Sequence, residues 1–187
     1  MSDIEHGVIT DPNIHEPKGA STASVGDVYI SDGSGSGTWQ RPSYGGMQVI
    51  AGTTAFTPGA ADVTDFYHLN GIDWADDIHR GIVLTTDGVG DSITVEDAGI
   101  YSISFWATIS SAASSGTQIA FKYSIGGVLA PRAIKVQKHT AGSDFLHIAA
   151  TALGSFSAGD VLTLHAASST TTTFTLINAS FTLHRVT

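Results

Sequence analysis

The chain has 187 residues, 8 basic against 17 acidic side chains, a formal net charge of −9 and no cysteine. So few basic residues, with no basic run, argue against nucleic acid or an anionic membrane as a direct partner. The absent thiols exclude disulfides, thiol nucleophiles and cysteine-type zinc sites.

Only 13% of the residues are charged, against 42% hydrophobic, about half the usual charged share. Either partners cover much of the surface, or Ser and Thr wet it. Met1 to Gly19 is polar, with acids at Asp3, Glu5, Asp11 and Glu16 and no apolar core of a secretory signal. No stretch approaches the length of a transmembrane helix. The expectation is synthesis in a cytoplasm, no general export and no membrane insertion.

Residues 1–22 show no sustained period, and Pro12 and Pro17 favour extended or turn backbone. They read as an arm that orders only against something else, or as a loose terminus. Asp27 to Gln40 reads as a small hairpin. Val28-Tyr29-Ile30 goes out, Asp32 to Gly37 turns, and Thr38-Trp39-Gln40 returns. So short a hairpin buries no core and is expected to dock on a partner or on the main domain. Arg41 to Gly46, with Pro42 and Gly45-Gly46, reads as a linker. The chain therefore divides into an attachment arm with hairpin at 1–45 and a β domain at 46–187.

Candidate strands then come regularly at 48–52, 64–69, 81–85, 91–95, 98–110, 117–125, 132–139, 145–153, 161–167 and 173–186. The strand after Glu96-Asp97-Ala98-Gly99 alternates most cleanly. Tyr101, Ile103, Phe105, Ala107 and Ile109 share one phase, while Ser102, Ser104, Trp106 and Thr108 share the other. An outward Trp106 needs cover, and another subunit is the simplest cover. In the last strand the apolar phase slips between Leu176 and Ile177, which predicts a bulge there. No amphipathic helix and no internal repeat is visible. The fold class is all-β, an antiparallel jelly-roll sandwich.

Three landmarks carry a resemblance. Asp97-Ala98-Gly99-Ile100-Tyr101-Ser102-Ile103-Ser104-Phe105 resembles the Gly-x-Tyr opening of a central strand in the C1q/TNF-like jelly rolls. Phe156 to Leu162 is similar to their Gly-Asp turn, and Asn178 to Leu183 to their closing Ser-Phe strand. The match covers roughly residues 47–187 and implies a homotrimer, with Trp106 a candidate for the subunit interface. Residues His6 to Gly19, followed by Val28-Tyr29 and Asp32 to Trp39, resemble the start of tailed-phage virion proteins, which carry an attachment segment before an exposed β-rich domain. No repetitive shaft or coiled coil follows, which favours a short capsid-bound protein over a long fibre.

Sites for chemistry are sparse. The eight histidines, at 6, 15, 68, 79, 139, 147, 165 and 184, show neither HxH nor HExxH spacing, though His165 and His184 could meet across strands. Acids gather from Asp62 to Asp97, tightest at Asn70 to Asp77. Oxygen-rich loops can hold calcium, and the resemblance adds that some C1q-like domains bind it, but this is no EF-hand, Trp74 interrupts it, and solvated loop charge is the simpler reading. Trp74 with Ile72 is expected to plug the end of the barrel. No nucleophile elbow precedes a helix, and the Gly/Ser turn at 32–37 lacks the ending of a phosphate loop. Lys122, Arg132, Lys135 and Lys138 form a locally basic side. No catalytic residue, metal or cofactor is assigned.

The function expected is therefore that of a phage virion structural protein. It would be a trimeric capsid decoration or cement protein, assembled in the host cytoplasm and displayed on the capsid surface. The expected partner is the major capsid protein or another virion protein, and the anchors are Ile9, Pro12, Ile14, His15 and Pro17 in the arm with Tyr29 and Trp39 in the hairpin. The alternative is the receptor-binding head of a tail or head fibre, recognising a host surface glycan or protein through Trp74 and Asp73. A free signalling ligand and an enzyme rank behind these.

Overall fold

A computed structural model describes residues 23–31, 34, 37–137 and 145–186. The chain forms two compact units, Met1–Pro42 and Ser43–Thr187. In the first, β1 (Val28–Ser31) and β2 (Gly37–Gln40) make an antiparallel hairpin, with Val28 opposite Gln40 and Tyr29 opposite Trp39. These are the strands the alternation predicts.

The second unit is a sandwich of two antiparallel sheets. In chain order its strands are β3 (Tyr44–Ile50), β4 (Ala55–Phe56), β5 (Asp62–His68), β6 (Ala75–Asp76), β7 (Ile82–Thr85), β8 (Ser92–Val95), β9 (Gly99–Ser111), β10 (Gln118–Ile125), β11 (Val128–Leu129), β12 (Ile134–Gln137), β13 (Phe145–Phe156), β14 (Val161–Ser168) and β15 (Phe174–Arg185). One sheet runs β13-β9-β15-β3-β6, with β4 also on β15. The other runs β11-β10-β14-β8-β7, with β12 also on β10. β5 lies against β14, where the Leu69 amide donates to the Leu164 carbonyl at 2.8 Å.

The core sits between the sheets and is built from the inward phase of each strand. Tyr101, Ile103, Phe105, Ala107 and Ile109 of β9 are all buried. Phe105 meets Phe121 of the opposite sheet with ring centroids 5.0 Å apart. The Tyr101 hydroxyl donates to the Asp97 carbonyl at 2.7 Å, so the buried phenol is satisfied and pins the turn that precedes its own strand. The slip expected near Leu176 is present: the β15–β9 register shifts between Leu176 and Asn178. That bulge lets Phe174 and Leu176 face the same core as Ala179, Phe181 and Leu183.

The expected linker at 41–46 needs correction. Tyr44, Gly45 and Gly46 belong to β3, paired with His184, Leu183 and Thr182. The two glycines are there for closeness. A Cβ on Gly46 would lie 2.2 Å from the Phe181 carbonyl oxygen, and one on Gly45, at φ +137°, would lie 2.3 Å from the His79 Cβ. Two-residue strands such as β4 and β6 carry too little alternation to be read from sequence.

Candidate functional site

The outward phase of β9 lies on the exposed face of the β13-β9-β15-β3 sheet, and strand register gives the pattern of that face. Ala149, Trp106, Ser180 and Gln48 form one cross-strand row. Thr151, Ser104, Thr182 and Gly46 form the next, and His147, Thr108, Asn178 and Ile50 the row on the other side. None of these twelve positions carries Asp, Glu, Lys or Arg. Small neighbours leave the central indole standing out, and Trp106 is 45% exposed. Ile50, Ile100, Phe145 and Leu153 add exposed apolar surface at the ends of the same strands.

Two cross-strand side-chain bonds lie along the face. Ser104 bonds Thr151 at 3.3 Å, and Thr108 bonds the His147 Nδ1 at 3.1 Å. An uncharged surface of small residues with part of its hydrogen bonding satisfied internally costs little to desolvate. Sequence reading found Trp106. It missed the breadth of the face, because rows across a sheet exist only once register is known.

Of the expected anchors, Ile9, Pro12, Ile14, His15 and Pro17 lie outside the described residues. Tyr29 and Trp39 are brought together across the hairpin, with ring centroids 5.3 Å apart and planes at 62°, an edge-to-face pair. Val28 and Ile30, of the opposite phase on β1, are 52% and 40% exposed. The hairpin thus carries apolar groups on both faces.

The acidic loops prove to be lashings. Asp73 accepts from the Thr53 and Thr54 amides, both at 2.9 Å, and from the Thr54 hydroxyl at 2.7 Å. Those three donors, the hydroxyl first, hold its carboxyl below the ordinary range. Asp91 accepts from the Gly88 and Gly71 amides, and Asp87 from the Val89 and Gly90 amides. Among the described residues no three His, Asp or Glu side chains gather as metal ligands. Trp74 is buried, as expected of a plug, and donates to the Leu69 carbonyl at 3.3 Å. That removes Trp74 from the surface where the fibre-head alternative needs it.

His165 and His184 do not meet: β14 and β15 belong to different sheets. The ring neighbour of His165 is His68. His165 Nε2 bonds the Thr163 and Ser124 hydroxyls at 2.8 and 3.2 Å, while its Nδ1 is buried without a partner. Burial, with a smaller contribution from His68, pushes its pKa down to about 4. In the basic group, the Lys122 ammonium sits 4.8 Å from the Phe66 ring centroid, and Lys138 lies outside the described residues.

The two antiparallel sheets form an all-β jelly-roll sandwich, a fold shared with TNF-like proteins. Among solved structures, the Eiger TNF of S. frugiperda is similar over 79% of this chain and 94% of its own, with a TM-score of 0.53 at 12% identity. Murine APRIL, in a structure at pH 5.0, is similar over 77% of this chain and 99% of its own, with a TM-score of 0.49 at 12% identity. No protein-family model and no curated protein sequence matches the chain.

Proposed function

We propose that this chain is a virion structural protein that associates as a trimer through the Trp106 face and is anchored to a capsid by its N-terminal segment, stabilising the shell as a decoration or cement protein. The observation that carries the reading is the uncharged face centred on Trp106. It offers an aromatic anchor inside a surface that is cheap to dry, which is the composition of an interface centre. TNF-like domains typically form homotrimers, and a copy-to-copy contact would supply the cover that Trp106 lacks. A ring of copies closes when each uses the same pair of unlike surfaces.

The capsid half of the proposal rests on the resemblance of residues 6–39 to the start of tailed-phage virion proteins and on the hairpin, which displays Val28, Ile30, Tyr29 and Trp39 without a core of its own. Three arms on one trimer would bind a lattice far more firmly than one, because the second and third attachments are intramolecular. The proposed partner is the major capsid protein or another virion protein, and the proposed working location is the outer surface of the capsid.

Mass photometry of the full chain, alone and mixed with capsids stripped of accessory proteins, tests this reading. The expected result is a trimer that decorates capsids, with Trp39→Ser still trimeric but unable to bind. A trimer that ignores capsids would instead support the head of a fibre, and a monomer would remove the trimer claim.

A further inference from the structure

A cavity of about 540 Å³ opens between the two sheets along the side where β13 approaches β12. Its cause is local and legible. The inward positions of β13 run Leu146, Ile148, Ala150, Ala152, Gly154, Phe156; the two small alanines line the cavity, while the Phe156 ring takes the space over Gly154. Across the gap, Ala130 and Ala133 are small as well. Its floor is the core itself, formed by Ile103, Phe105, Phe121, Leu164 and Phe181. Ala152 pairs with buried Ile103 yet is exposed, so the gap is open to solvent.

The rim is unlike the floor. Arg132 lines the opening, is exposed, and pairs with no described residue. The other cation at the cavity, Lys122, has its ammonium over the Phe66 ring. The one guanidinium at the rim therefore has its donors available, in a protein of formal net charge −9 where free cations are scarce.

We propose that this cavity is a binding site for an amphipathic carboxylate of medium chain length, with its alkyl tail between the sheets and its carboxylate on Arg132. The volume lies inside the range of small-molecule sites, roughly 300–1,000 Å³. An alkyl chain of about ten carbons takes up on the order of 300 Å³ if each carbon needs roughly the volume of one water. An apolar, uncharged floor offers water few partners and offers a hydrocarbon dispersion contacts on several sides. The guanidinium fork suits a carboxylate and repels a cationic head. This site uses neither Trp106 nor the hairpin, although Thr151 and Leu153 at its edge also belong to the face that carries Trp106.

The test is native mass spectrometry and calorimetric titration of the full chain with decanoate, decanol and decyltrimethylammonium below their micelle concentrations. The expected result is one saturable decanoate per chain, with the trimethylammonium compound at least about fivefold weaker. Arg132→Gln should weaken decanoate by about fivefold and leave decanol within about twofold. Ala152→Phe fills the gap and should weaken decanoate and decanol together by at least about tenfold. Ala150→Leu serves the same purpose if Ala152→Phe fails to fold, as judged by circular dichroism and melting. No saturable decanoate on the wild-type chain, or unchanged binding in a folded gap-filling variant, overturns the site. Equal or tighter binding of the cationic amphiphile overturns the ligand class.

Discussion

The imidazoles of His68 and His165 stack, with ring centroids 5.3 Å apart and planes at 28°. Each ring has an assigned nitrogen contact: His68 Nε2 with the Asp91 carbonyl at 3.0 Å, and His165 Nε2 with the hydroxyls of Thr163 and Ser124. Lys122 stands opposite His165 in the β10–β14 register and places a cation on the neighbouring strand. Burial disfavours the charged form of His165 and the neighbouring His68 adds a smaller push, which brings its pKa down to about 4.

The sign of the pH effect follows from proton counting. The unfolded chain protonates this histidine as pH falls through its ordinary 6.5, whereas the folded chain does so only near 4. Over that window the unfolded state binds more protons, so stability falls as pH falls. The expected outcome is a melting temperature that drops between pH 7 and pH 4.5 and a shallower drop in His165→Gln, measured by scanning calorimetry. Carboxylates such as Asp73, whose folded pKa is lowered from 3.8, contribute their loss at lower pH. The two effects therefore separate along the pH axis.

Trp106→Glu places a charge at the centre of an otherwise uncharged face without touching the core. A centrally placed aromatic anchor is worth about 2 kcal/mol or more, so the dissociation constant of the assembly should rise at least about 30-fold. Sedimentation velocity across a concentration series checks this. An unchanged assembly in the variant would show that copies do not meet through this face.

Gly46→Ala should be severely destabilising although it adds only a methyl group. The new Cβ would lie 2.2 Å from the Phe181 oxygen and 2.7 Å from the Thr182 Cα, both backbone atoms that cannot move aside alone. Pushing β3 from β15 should cost about 2 kcal/mol or more, seen as a lower urea midpoint. Gly59→Ala, where no atom lies within 4 Å of the added carbon, is the matched control with little expected change.

Asp73→Ala removes the acceptor of three hydrogen bonds and frees the Thr53–Thr54 turn from the loop that carries buried Trp74. A loss of about 1–2 kcal/mol is expected by urea unfolding. Calcium at millimolar concentration should leave the wild-type melting temperature unchanged, because these carboxylates already accept from protein donors. A rise in melting temperature with calcium would contradict the lashing role.

Much of the fold is legible in the order of residues. Period-two alternation in Tyr101 to Ile109 places one strand and its buried face, and the slipped phase around Leu176 announces its own bulge. Both are local consequences of side chains pointing alternately to opposite faces. What the sequence could not supply is what lies beside what. Trp106 is legible as an outward tryptophan, but its row from Ala149 to Gln48 joins four strands through register, and register is a tertiary choice. Gly45-Gly46 reads as a linker because nothing local records that His79 and Phe181 press against that backbone. The small pair Ala150 and Ala152 is written in the chain, yet only packing decides whether a neighbouring strand fills the space beside it. By itself the sequence determined the alternation, the turns and the charge; the tertiary structure decided the uncharged face, the close glycines and the gap between the sheets, because each depends on surfaces that distant segments bring together.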